Sequence, residues 1–574
     1  MNMNLFYKNS TSRIAVAMIF IGVAQLFSGC SKDKETEAPV VLNNPDKLVI
    51  QVLGITEDLV NTANPSASTG GQSTAKETGL TARKTTVFTG FDAVTSVERD
   101  VQKQSGVSIG NATTGQSAAN GLMAAAPMLT DVSYRLLLYK TDGTFVSSTV
   151  LTSGTNGLID AMKGTSYNYY AISYNTAEVV PDVNPATPTL VLPGGRDILY
   201  TSGSITIPAN SADGNTPLGL VFQHKFARIA VELNTMGMFG DISTAAVGVS
   251  GIVAKTGTIN LRTGAVSNLI NAPQTITYSN FTNTAAGFND AKEVYIYTAD
   301  PTATSLTVTL NNLVVDVKQP PATTVTRSFT SLLNATPSVF NFNITPVAGR
   351  TYRAYVNLIE SPLTIAGVRW ARTNLYYADG INHNRYRFEP TYAHTNRRNT
   401  YFSFKGLIPT AYGTDSDPCT QVYPAGVWRQ ASEADFRTLV GGALFIGALP
   451  TTYGTSGGRG YLEYTAAGTV APYESNRLRF NFNGEGVTAT VLDGVVDISL
   501  GTTYGSSAQI WTSSSALSLP PVVNVSAIFY EGSYSTPLGI PTRTSQVLGN
   551  LLNISAIGLN VIASNFKNIR CVRN

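Results

Sequence analysis

Few side chains in this sequence are placed to do chemistry. Its 574 residues hold three cysteines and three histidines. The cysteines are Cys30, Cys419 and Cys571, the last standing in the closing "NIRCVRN". Thiols in such small number are acylated, paired or reactive, and their surroundings decide which. His224 lies in an alternating strand pattern, where a structural role is the expectation. His383 and His394 fall in "INHNRYRFEPTYAHTNRRN", near Asp379 and Glu389. Their spacing matches no standard zinc motif, so no metal site is expected. The basic and aromatic stretch 384–399 reads as a solvated loop that could contact a glycan or a protein. No nucleophile elbow, phosphate loop or His-Glu zinc helix is present. Nothing argues for a carboxylate pair, although such a pair need only be close in space. The expectation is a chain that is not an enzyme and uses no cofactor.

The context of Cys30 is a targeting segment. Lys8 and Arg13 precede an apolar run, Ile14 to Phe27, too short and wrongly flanked for a transmembrane helix. The run ends in "LFSGC", which resembles a bacterial lipobox, with Phe27 where leucine is usual. Cys30 is then the lipidation site, and the polar "SKDKETE" after it is a tether, similar to a surface-export signal of Bacteroidetes lipoproteins. With Cys30 acylated in an oxidising compartment, Cys419 and Cys571 are left to pair. Closing so long a loop is worth on the order of 4–5 kcal/mol in the chain-entropy model.

These groups must be carried by a mostly β framework. Charged residues are 13% of the chain, about half the usual share. The net charge is +3, two units of which come from Lys8 and Arg13, so neither nucleic acid nor an anionic membrane is called for. "DKLVIQVLG" (46–54) reads as a strand buried on both faces. The Asn-, Ser-, Thr- and Gly-rich stretch 61–84 follows as an exposed loop, and it ends in Arg83 and Lys84, where a trypsin-like protease can cut. "YRLLLYKTDGTFVSSTV" is a hairpin about Asp142-Gly143. "TSYNYYAISYN", "FQHKFARIAVEL", "AKEVYIYTA" and "SLTVTLNNLVVDV" are further strands. All three tryptophans, Trp370, Trp428 and Trp511, lie with Cys419 and Cys571 in the last third, which marks a separate unit. That unit holds the best helix signal, opened by Ser432, with Glu433 and Asp435 in its first turn and Ala434, Phe436 and Leu439 as its apolar face. The reading is mainly β: a signal segment 1–29, antiparallel sandwiches at 30–212 and 213–361, and a disulfide-closed α+β unit at 362–574.

Over roughly residues 30 to 360 the sequence resembles the fimbrillins of Bacteroidales, the subunits of type V pili. The matching stretches are the lipobox, "YRLLLYKTDGTFVSSTV", "GTSYNYYAISYN", "DILYTSG", "FQHKFARIAVEL" and "TINLRTGAVS". The last unit resembles the Fibrobacter-type paralogous domain, a variant of the C-type-lectin-like fold, through "VRWARTNLYY", "DPCTQVYPAGVWRQASEADFRTL", "IWTSS" and "IRCVRN". Ala431 stands where that family has proline. The resemblance implies export as an outer-membrane lipoprotein and cleavage by a trypsin-like protease after the first strand. That strand would lie within 46–54, and the cut would follow Arg83, with Arg99 a weaker site. Other fimbrial subunits would then join by donor-strand exchange at the cell surface. A tail tied through Cys571 cannot be donated, which implies a tip subunit that displays its lectin-like domain to an unnamed receptor. The alternative is a surface lipoprotein that binds glycans and never polymerises. "EPT" (389–391) is the nearest approach to the calcium-lectin triplets and no Trp-Asn-Asp accompanies it, so no calcium-dependent sugar site of that kind is expected. "TDSDPC" (414–419) reads as a turn.

Overall fold

The computed structural model describes residues 45–56, 81–99, 126–210, 215–302, 304–319, 323–378, 383–409, 415–440, 452–492, 495–500, 503–516, 526–535, 542–551 and 565–574. Cys30, the lipobox, Asp379, and Gly441 and Gly442 after the helix lie outside them. The described residues are mostly β, with two short α-helices, Thr330–Ala335 and Glu433–Val440.

The first strands in chain order are β1 (Pro45–Thr56), β2 (Lys84–Val87), β3 (Phe91–Arg99), β4 (Ser133–Lys140), β5 (Phe145–Thr152), β6 (Gly157–Met162), β7 (Ser166–Ser173), β8 (Thr189–Val191), β9 (Leu199–Thr206), β10 (Asn215–His224) and β11 (Ala227–Gly237). A seven-stranded sheet runs β5-β4-β7-β9-β10-β1-β6. β4 is buried on both faces, as its run "YRLLLY" requires, while β10 alternates buried and exposed residues. Tyr134, Leu136 and Leu138 of β4 enter one core with Leu48, Ile50 and Phe222. Leu137 and Tyr139 enter another, capped by Leu190, Ile259 and Leu261.

The sandwich that follows pairs a six-stranded sheet with a four-stranded one. The larger sheet runs Thr282–Asn283, Ala291–Thr298, β11, Thr351–Glu360, β3, β2. Ile229, Val231 and Leu233 of β11 pack there against Val308, Leu310 and Phe340 of the smaller sheet. The alternation of β11 and the strand Ser338–Ile344, buried at every second residue in the latter, supplies this core directly.

Sheet pairing crosses the boundary expected at 212. The β2–β3 hairpin belongs to the second sandwich, with β3 laddered antiparallel to Thr351–Glu360 from Arg99↔Tyr352 to Phe91↔Glu360. β8 pairs with the strand Lys255–Asn260. Nor are the sheets purely antiparallel: β1 runs parallel to β10, and β11 parallel to Thr351–Glu360. Long intervening chain makes such pairs possible, since parallel neighbours need a crossover rather than a tight turn.

The last third holds several small sheets, their strands from two to ten residues long, around two cores that contain the tryptophans. It is not set off from the second sandwich. Phe239 meets Phe388 edge-on at 5.0 Å and Phe388 meets Trp428 at 4.9 Å, so one core runs through both. The helix begins at Glu433, behind Ser432, and the cap is reciprocal. Asp435 N–H donates to Ser432 Oγ at 3.2 Å, and Ser432 N–H donates to Asp435 Oδ2 at 2.7 Å. Phe436 and Leu439 are buried as expected, but Ala434 is exposed and Asp435 is buried in its place. Asp435 turns inward because Arg429 forks onto it, at 2.5 and 3.0 Å. Burial alone would raise its carboxyl, but the bonds from Arg429 and Ser432 hold it below its ordinary range. Its contribution to stability is therefore complete above about pH 4 and fades as pH falls through the depressed value. Asp435→Ala is expected to cost about 1–2 kcal/mol at pH 7, read as a lower urea midpoint with unchanged slope.

Candidate assembly site

The features that bear on function are two strands with opposite standing. β1 lies between β10 and β6, pairing with β10 from Lys47↔Asn215 to Thr56↔Gln223 and with β6 from Pro45↔Met162 to Ile50↔Gly157. Asp46, Leu48 and Ile50 are buried while Lys47 and Gln51 are exposed. The strand is thus covered on one face, not on both as its apolar run suggested. Its outward residues Val49 and Leu53 are half-buried and exposed, no layer among the described residues covering the sheet there. β10 pairs with β9 only at Gln223↔Tyr200 and His224↔Leu199, so β1 supplies the partner for most of its length. Taking β1 away would bare Leu218, Leu220 and Phe222 of β10 and Ile159 of β6, all now buried, together with the main-chain groups facing them.

Arg83 and Lys84 sit where the chain enters the second sandwich. Arg83 is exposed, and its Nη1 donates to Ala425 O at 2.9 Å. Lys84 opens β2, the edge strand, opposite Thr95. Arg99 ends β3, paired with Tyr352.

At the other end, Cys571–Arg573 forms an interior strand. It lies between Val368–Trp370 and Trp428–Gln430, with Trp370↔Val572 on one side and Gln430↔Cys571 on the other. Cys571 is bonded to Cys419, with Cα atoms 5.8 Å apart. Asp417 turns the chain into Cys419: its Oδ1 accepts from Cys419 N and its Oδ2 from Gln430 N, both at 2.8 Å. Asp417 thus caps a single 3-10 turn, Pro418–Gln421; Thr414, the first residue of "TDSDPC", lies outside the described residues.

Three cations, spaced three residues apart, are buried in this tail. Lys567 Nζ donates to Glu485 at 2.7 Å. Arg570 donates to the carbonyls of Ala371, Arg372 and Arg479 and to Asn374 Oδ1, at 2.7–3.1 Å. Burial pulls its guanidinium down to about 10. Arg573 reaches into the second sandwich: Nη1 stands 3.2 Å from Asp92 Oδ2 of β3, and Nη2 donates to Glu360 O at 2.5 Å. Beside it Arg327 pairs with Glu360 at 2.7 Å. Burial pushes the Asp92 carboxyl up and the Arg573 guanidinium down to about 10, although the two face each other. Desolvation thus outweighs their attraction. Ala431 donates its N–H to Arg570 O at 3.1 Å, a bond that a proline at this position could not make.

The histidines are placed structurally. His224 Nδ1 meets Asp197 at 2.7 Å, His383 Nε2 meets Asp290 at 2.9 Å, and His394 Nε2 meets Gly460 O at 2.8 Å. No group of three or more metal-ligating side chains occurs among the described residues. The stretch 384–399 is mostly tied inward rather than solvated. Arg397 pairs with Glu389 at 2.5 Å, Arg387 Nε donates to Asn384 O at 2.6 Å, and the buried Tyr392 donates to Arg477 O at 2.8 Å. No described helix is long and apolar enough to cross a membrane.

No family model matches the sequence, and no curated protein sequence is significantly similar. Solved structures are similar over less than half of the chain. One, described as a candidate cell adhesion protein from Bacteroides fragilis, is 15% identical, with a TM-score of 0.27 over 45% of this chain and 94% of that one. Another of the same description, from Bacteroides uniformis, is 13% identical, with a TM-score of 0.23 over 40% and 89%. The fimbrial anchor protein Mfa2 from Porphyromonas gingivalis is 12% identical, with a TM-score of 0.19 over 39% of this chain and 95% of that protein.

Proposed function

We propose that this chain is a structural and adhesive subunit of a surface fibre that accepts a strand from a neighbour but gives none. The observation that carries this reading is the contrast between β1 and the strand Cys571–Arg573. β1 sits in a seat with a partner on each side, ahead of the basic pair Arg83–Lys84. Residues 571–573 are an interior strand as well, but Cys571 is bonded to Cys419 and no basic pair stands between the two cysteines, so the strand stays while the bond holds. A subunit that only accepts ends a fibre, so the place for this chain is the tip, with its last third, lectin-like by sequence resemblance, directed outward. Cys30 would carry the lipid until cleavage after Arg83 releases the segment that holds β1. Main-chain pairing in the vacated seat would give affinity, and alternate side chains would give selection.

The test is the N-terminal sequence and intact mass of the protein from sheared surface fibres. The expected result is a start at Lys84. A chain absent from fibres, found in membranes and starting at an acylated Cys30, would overturn the reading in favour of a glycan-binding lipoprotein.

A further inference from the structure

The seat of β1 is more regular than β1 itself. β10 turns Thr216, Leu218, Leu220 and Phe222 inward at strict two-residue intervals, all buried. β1 follows this register through Leu48↔Thr216, Ile50↔Leu218 and Val52↔Leu220. It then slips: Gly54 stands opposite Val221 and Ile55 opposite Phe222, which leaves Leu53 as one residue too many. Bulges are rare in parallel pairs, and this one unpairs Leu53 and bends the strand. Gly54 takes φ +149°, a conformation other residues rarely adopt. Leu53 is 49% exposed and lies over Gly219, where an added Cβ would come within 2.5 Å of its Cδ1. The start of the strand is keyed instead by a hydrogen bond. Thr216 Oγ1 donates to Asp46 Oδ2 at 3.0 Å, both groups being buried.

We propose that this seat fits an incoming strand of another chain better than it fits β1, provided that strand has no bulge. Its pattern is an acceptor side chain at the place of Asp46, then apolar residues at the next four alternate positions, running parallel to β10. This rests on the strand-exchange reading above and names the partner that the seat selects. The resident strand is then a poorer occupant, and exchange runs downhill because a regular strand makes the same inward contacts without the slip.

The test uses the folded full chain, carrying a specific protease sequence within residues 57–80 and cut there so that β1 stays seated without a covalent link. Two fluorescent peptides compete for the seat. One is the native 45–56; in the other a single threonine replaces Leu53 and Gly54. The regular peptide is expected to bind about threefold or more tightly than the native one. Its Asp46→Ala form should bind about tenfold more weakly, because Thr216 loses its acceptor. In a Gly219→Ala chain the native peptide should weaken, since Leu53 lies over that position, while the regular one should not. If the native peptide enters and the regular one binds no better, this proposal falls and strand exchange stands. If neither enters, strand exchange falls with it.

Discussion

Replacing Arg573 by methionine is expected to lower folding stability by about 3–5 kcal/mol. The substitution keeps most of the packing against Trp428, whose ring lies 4.4 Å from the guanidinium. It removes the cation facing Asp92, which is 1% exposed and makes no well-directed hydrogen bond of its own. A buried carboxyl that has lost the cation facing it, with only Arg369 and Arg372 left to offset its burial, is the costly state, since the chain must protonate it or open. The pair itself is a poor source of stability, because burial drives both members toward their neutral forms. Arg573→Met combined with Asp92→Leu should therefore recover most of the loss. Guanidinium unfolding of the two single variants and the double variant measures this as a coupling energy. Equal losses in the single and double variants would show that Arg573 acts through packing alone.

That prediction could not have been drawn from the sequence. Arg570 and Arg573 in "IRCVRN" look like the solvated basic residues of a chain end, because arginine is seldom fully buried. Only the tertiary structure shows them donating to main-chain carbonyls across the last third and into the second sandwich. The disulfide was legible, because reading Cys30 as a lipidation site left Cys419 and Cys571 to pair. So was β1, whose apolar run marks a strand; that one of its faces lies open was not, since an apolar residue can remain exposed where no layer reaches it. The helix behind Ser432 was legible from its cap, and Phe436 and Leu439 of its expected face are buried, but Ala434 is not. Alanine at 434 fits a core position by type, but Arg429 draws the acid at 435 inward instead. The hairpin of β2 and β3 shows the same limit on a larger scale. Alternation identifies β3 as a strand, but its partner Thr351–Glu360 lies about 260 residues away, and local pattern carries no information on pairing across that distance.

Long-range pairing also changes what cleavage would do. A cut after Arg83 separates β1 from β2, and these belong to different sheets. β2 and β3 stay laddered in the second sandwich, and Asp92 of β3 stays against Arg573. Loss of β1 would thus open the first sheet alone, while the second sandwich and the last third remain joined around one core. The sheet of β1 and the joined core of the second sandwich and last third are largely distinct, meeting where Ile259 and Leu261 cap the first sheet. Under the proposed function, this division lets the first sheet change while the rest holds firm.

Removing the disulfide, by Cys419→Ala with Cys571→Ala, is expected to cost about 5 kcal/mol in the chain-entropy model. The bond closes a loop with a sequence separation of 152, and constraint on the unfolded chain grows with loop length. Both cysteines are fully buried in the core that also holds Trp428, Phe388 and the strands of the second sandwich. The loss should therefore not be confined to the tail. Amide exchange should quicken through the second sandwich and the last third, while the sheet of β1, whose cores are separate, keeps its protection. The residual fold should still hold 571–573 through its ladders and through Arg570, so the variant should unfold at lower urea rather than be unfolded from the start. If exchange instead quickened only at 565–574, the disulfide would be a local clasp, and the tail could be freed without disturbing the rest. A freed tail could then be donated, and the argument for a subunit that only accepts would lose its structural basis.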